Sequence, residues 1–126
     1  MIPPDITPII TMLQGILETG SRWERHGFNP RTGCGCYGLV VFTFARAGMT
    51  LPETAEQAQQ WFVPVCKPYH AWDVALVQWT PMERHLGLQS SNGLARFALS
   101  HPLWRRGLRH VWRYCDFATV TEGVCT

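Results

Sequence analysis

Apolar residues at Ile6, Ile9, Ile10, Leu13, Ile16 and Leu17 recur with helical spacing behind a Pro3-Pro4-Asp5 lead-in. The pattern predicts a first helix, and Gly20 stops it. Residues 21–35 hold three glycines and a proline without any period, which reads as a long loop or an irregular approach. From Cys36 the chain turns apolar as C-Y-G-L-V-V-F-T-F-A-R-A-G-M, with Arg46 its only charge. Strand and helix both satisfy those residue types; Gly48 followed by Pro52 favours a buried helix. Thr54 and Gln57 form a capping-box pattern that opens a short helix to about Phe62. Pro64 and Pro68 then break the chain. Strand-like runs follow at residues 72–79, 85–89 and 94–99, parted by Pro81 and by Ser90-Ser91-Asn92-Gly93. A fourth run at 107–114 alternates Leu108, His110, Trp112 and Tyr114 against Arg109, Val111 and Arg113. Helices first and antiparallel strands after predict an α+β domain over residues 1–126, its N-terminal helices packed on a small antiparallel sheet.

Composition narrows this picture. A chain of 126 residues with 46% hydrophobic and only 16% charged residues is too apolar for disorder and long enough to fold without disulfides. No apolar run reaches the roughly 20 residues of a membrane span. The start Met-Ile-Pro-Pro-Asp has neither a basic nor an apolar leader segment, so no Sec signal is expected. Five cysteines, an odd number, are expected to be reduced thiols and not a disulfide framework. A net charge of +2 is too weak to argue for nucleic acid. Arg96, Arg105, Arg106, Arg109 and Arg113, with no acid between Glu83 and Asp116, read as a solvated strand face or an assembly interface. Cys34, Cys36, Cys66 and His70 lack the usual pair spacing of structural zinc, so neither metal nor cofactor is expected.

Cys36 stands where the Gly33-Cys34-Gly35 loop meets the buried helix. A thiol there faces the orphan N–H groups and the positive end of the helix dipole, both of which favour thiolate, the nucleophilic form. The block Gly35 to Val40, G-C-Y-G-L-V, resembles the D-C-S-G-F/L-V block of the NlpC-type cysteine peptidases, papain-like cell-wall hydrolases. Four further segments are similar in family order. G-S-R-W-E-R-H-G-F-N-P, from Gly20, resembles the approach loop G-T-P-Y-x-W-G-G-x-x-P. A-R-A-G-M-T-L-P, from Ala45, resembles A-G-I-x-L-P. A-W-D-V-A-L-V-Q-W, from Ala71, resembles P-G-D-L-V-F-F, and R-H-L-G-L, from Arg84, resembles H-V-G-I-Y.

The resemblance implies a papain-like fold in which Cys36 is the nucleophile and His85 the base. The third, orienting residue falls near Phe97 or Ala98, which cannot hold an imidazole, so His101 is the nearest candidate and Ser100 a lesser one. Trp23, in place of the family's loop Tyr, with Tyr37 and Arg84, is implied to contact substrate. Gly35 replaces the family's Asp and Tyr37 its Ser. The implied substrate is a peptidoglycan peptide, often cut beside γ-D-glutamyl residues. A compact domain without leader or wall-binding repeats fits a phage tail component that opens the wall. Its place is then the virion, or the bacterial cytoplasm before delivery, with other tail proteins as partners. A secretion-system effector amidase and a catalytically degenerate structural tail protein are the alternatives.

Overall fold

The computed structural model describes residues 2–20, 27–29, 33–80, 83–90, 93–95 and 108–118. Helix α1 (Thr7–Gly20) opens with Asp5 Oδ1 accepting the Thr7 N–H at 3.0 Å. Its buried stripe is Ile10, Leu13 and Ile16, with Ile6 just ahead, as the periodicity predicts. Helix α2 (Cys36–Arg46) buries Gly38, Leu39, Val40, Thr43 and Phe44. Thr43 Oγ1 donates to the Leu39 carbonyl at 2.7 Å, which satisfies a hydroxyl otherwise stranded in the core. The helix closes at Gly48, whose φ of +82° is a left-handed conformation that suits glycine. Helix α3 (Ala55–Ala58) is capped as its pattern predicts: Thr54 Oγ1 accepts the Gln57 N–H at 3.2 Å. A 3-10 turn (Gln59–Trp61) continues it.

Within the stretch read as irregular, β1 (Phe28–Asn29) and β2 (Gly33–Cys34) form a small antiparallel ribbon. The main sheet comprises β3 (Phe62–Pro64), β4 (Val74–Thr80), β5 (Glu83–Ser90), β6 (Gly93–Ala95) and β7 (Leu108–Tyr114). Its spatial order is β3-β7-β4-β5-β6, with every pairing antiparallel. The expected α+β plan of helices on a small antiparallel sheet is the observed one. Strand β3 is too short to show alternation, and Pro64 reads as a breaker; at the sheet edge a proline is tolerated.

Register sorts the side chains between two faces. Val74 pairs with both Leu88 and Trp112, and Leu76 with both Leu86 and His110. Val74 and Leu88 join the core cluster that contains Leu39, Val40 and Phe44 of α2. Phe44, fully buried, meets the rings of Trp72, Tyr114 and Phe62 edge-on at 5.0, 5.6 and 5.9 Å. Such edge-to-face pairs add about 0.5–1.5 kcal/mol each to simple burial. On the other face, Ala75 and Val111 pack with Val65.

That second face also corrects the sequence reading of Arg113. It is no part of a solvated surface but is 1% exposed. Its Nε donates to Asp73 Oδ1 at 2.8 Å and its Nη2 to Oδ2 at 3.0 Å, with Asp73 0% exposed. Asp73 Oδ2 also accepts the His70 N–H at 2.8 Å. The two charges lie 40 positions apart in sequence, and only the β4–β7 pairing brings them together.

Trp72, next to Asp73, takes the place of glycine in the family motif and has a φ of +76°. That conformation is strained for a bulky residue, by about 1–3 kcal/mol. Complete burial of the indole offsets the strain, and its Nε1–H donates to the Pro4 carbonyl at 2.7 Å. The segment leading into α1 is thereby tied to the core.

The ion pair supplies a stability prediction. Asp73→Asn keeps an acceptor for His70 but leaves the Arg113 charge buried beside a neutral amide. Unfolding free energy in urea should fall by roughly 3–5 kcal/mol. The double change Asp73→Asn with Arg113→Met should cost less than the single one, because no uncompensated charge remains.

Candidate active site

Cys36 is the first residue of α2. The N-cap, Gly35, is extended (φ −96°, ψ 179°) and provides no side-chain cap. Its N–H bonds the Gly27 carbonyl at 3.1 Å and its carbonyl accepts the Leu39 N–H at 3.0 Å. The first bond ties the start of α2 to the chain entering β1, and the second is the opening bond of the helix itself. With no capping side chain, the amides of the first turn keep their partial positive charge directed at the space before the helix. That is the electrostatic setting a developing oxyanion needs. Cys36 is half-buried and carries a free thiol.

The thiol borders a cavity of about 330 Å³. Tyr37 and Val40 of α2 wall one side, and Ala55, Ala58 and Gln59 another. The sheet and its edge supply Phe62, Val74, Leu76, Leu86 and Trp112. Tyr37 presents its ring to the cavity, while its hydroxyl donates to the Pro52 carbonyl at 2.5 Å. Burial pushes that phenol up to about 12. The bond fastens the first turn of α2 to the segment leading into α3, which joins the helix bearing the thiol to the opposite wall.

His85 occupies β5 in register with Val77, and Arg84 in register with Gln78. The side chains of both, and all of Trp23, Phe97, Ala98, Ser100 and His101, lie outside the described residues. Leu86, the next residue after His85, lines the same cavity as Cys36, and α2 packs against β5.

Cys66 corrects the expectation of reduced thiols: it is disulfide-bonded, whereas Cys36 and Cys115 are free. Pairing depends on which sulfurs the fold brings together, and that distance cannot be read from spacing along the chain. A disulfide sulfur is no metal ligand, and no group of three or more potential metal ligands occurs among the described residues. Sequence reading missed the cavity wall built by Ala58, Gln59, Phe62 and Trp112. The one available signal was the alternation that put Trp112 on a common face with His110 and Tyr114.

Tyr37 gives a pH prediction. Below pH 10 its phenol is neutral in both folded and unfolded chains, so its contribution is fully present. Between pH 10 and about 12 the unfolded chain loses the proton first, and stability falls. Tyr37→Phe should cost about 1 kcal/mol at neutral pH through the lost hydrogen bond. It should also flatten the alkaline decline in a series of urea melts.

No family profile matches the chain. Over 46 residues it is 44% identical to the bifunctional muramidase/DL-endopeptidase CwlT of Bacillus subtilis (strain 168), a stretch that is 36% of this chain and 14% of that protein. The fold matches the crystal structure of a Staphylococcus aureus subsp. aureus Mu50 protein described as similar to lipoprotein, NLP/P60 family, with a TM-score of 0.61 and 18% identity. That match covers 90% of this chain and 43% of the staphylococcal one. The matched parts are therefore less than half of either protein. The local sequence identity and the shared fold support the resemblance to the NlpC-type family that the motifs of residues 20–99 carry.

Proposed function

We propose that this chain is a cysteine peptidase or amidase acting on cell-wall peptides, with Cys36 as nucleophile. One observation carries the reading: a free thiol on the first residue of a buried helix, at the rim of a cavity walled by the sheet. In the proposed reaction Cys36 Sγ adds to the scissile carbonyl while His85 takes the thiol proton. Amides of the α2 first turn hold the oxyanion. The C–N bond then breaks, the leaving amine takes the proton back from His85, and a thioester remains on Cys36. Water activated by His85 attacks the thioester, releasing the acid and restoring the thiol. His101 is the proposed orienter of His85, and Trp23, Tyr37 and Arg84 are proposed to contact substrate. The context proposed for it is a phage tail component that opens the cell wall, and a secretion-system effector amidase is the next.

A second reading is a structural tail protein that keeps the fold without the activity. Gly35 favours it, since the family's Asp before the nucleophile is replaced by a residue with no side chain.

Two measurements separate these readings. Iodoacetamide near neutrality should alkylate Cys36 faster than Cys115, as mapped by mass spectrometry on partially labelled protein. Exposure alone argues the reverse, because Cys115 is exposed and Cys36 half-buried. Labelling of Cys115 first would end the nucleophile assignment. In the second, purified protein should release fragments from muropeptides, and Cys36→Ala should abolish release. His85→Ala and His101→Ala should each lower the rate about 100-fold or more, the usual worth of general-base help. A folded wild type inert on several wall types supports the structural reading.

A further inference from the structure

Trp61 differs from the other tryptophans whose side chains are described. Trp72 is fully buried with its N–H on the Pro4 carbonyl, and Trp112 lines the cavity with its ring 5.6 Å from that of His110. Trp61 is 41% exposed, and among the described residues its ring meets no other ring and its indole N–H no acceptor. It closes the 3-10 turn after α3 and stands in sequence between Gln59 and Phe62, both of which line the cavity beside Cys36. The free indole is thus one residue from the wall of the proposed site. Its neighbours set the chemistry. Gln57, Gln59 and Gln60 are exposed, and their carboxamides make no hydrogen bond among the described residues. Residues 47–66 include Glu53 and Glu56 but no Lys or Arg.

We propose that Trp61, with Gln57 and Gln60, forms a sugar-binding subsite for an N-acetylated hexosamine ring of the glycan that carries the cell-wall peptide. The proposal rests on the peptidase reading for its substrate, and it adds that the peptide is met while still joined to sugar. A flat indole beside neutral carboxamides is the complement of a neutral pyranose. The sugar's C–H groups are attracted to the negative face of the ring, and its hydroxyl and acetamido groups find a donor and an acceptor in each carboxamide. A protein or lipid partner calls for apolar surface continued around the indole; the residues leading into Trp61 are amides and carboxylates instead. A phosphate-rich polymer meets only acids on this segment. Trp61 binds the glycan and takes no part in the bond-breaking chemistry at Cys36.

The test needs no turnover, because the probe is a sugar without a peptide. The full chain, disulfide intact, is titrated with fully N-acetylated chitotetraose and binding is followed by calorimetry or saturation-transfer NMR. Trp61→Ala should weaken binding about tenfold, which is what covering one face of an indole is worth. Trp61→Phe should keep most of the affinity. Phe28→Ala removes another aromatic that is 41% exposed and should change nothing. Should Trp61→Ala melt below the parent in urea, Trp61→Leu serves instead, since leucine keeps apolar bulk without a flat ring. No binding by the wild-type chain, or equal binding by the Trp61 variant, would overturn the subsite. Equal affinity for cellotetraose, which lacks the acetamido group, would overturn the assignment to an N-acetylated sugar. Self-association of the wild-type chain that Trp61→Ala abolishes, without sugar binding, would reassign the indole to a protein contact and overturn the subsite as well. None of these outcomes depends on hydrolysis, so failure of the peptidase reading shows separately, in the muropeptide assay.

Discussion

Two opposite charges withdrawn from water set the terms for the rest of this fold. Asp73 and Arg113 are essentially inaccessible, and two hydrogen bonds between them help offset the cost of taking both charges out of water. The pair spans the N-terminal end of β4 and the C-terminal end of β7, so it holds those strands at the register that sets Val74 opposite Trp112. A one-residue slip would turn every side chain to the wrong face and break the pair. Given that register, Val74, Leu76 and Trp112 stand on the α2 side of the sheet and become walls of the cavity. The same carboxylate holds the His70 N–H and so anchors the turn that delivers the chain into β4.

Against that fixed sheet, α2 docks through Phe44 at the centre of an aromatic cluster. The packing is uneven along the helix. Phe44, near its C-terminal end, is enclosed by rings, while its N-terminal end borders open volume. A half-buried thiol with uncapped amides and a cavity beside it follows from that asymmetry. The Tyr37–Pro52 bond then fixes the distance between the thiol and the short helix opposite. Cys36 and the far wall of the cavity thus share one frame.

Much of this was written locally. Periodicity marks α1, the Thr54–Gln57 cap marks α3, and Gly48 marks the end of α2, because each signal rests on contacts within a few residues. The position of Cys36 at a helix start is equally local, and the order of motifs around it points to the NlpC type. What the chain did not disclose depends on pairs distant in sequence. Arg113 reads as one more surface arginine until β4 and β7 pair and present it to Asp73. Cys66 reads as a reduced thiol, since no spacing rule says which sulfurs the fold brings together. Trp72 at a left-handed position follows no backbone preference; it is held by burial and by the Pro4 carbonyl, 68 positions away. The cavity, too, is tertiary alone, an opening between two helices and four strands whose residues look like ordinary core. The helices, the runs that become β4, β5 and β7, and the placement of Cys36 at a helix start were therefore determined by the sequence itself, through short-range geometry. The buried ion pair, the disulfide and the shape of the site were decided only when the sheet closed, because each is a contact between segments that have no local reason to meet.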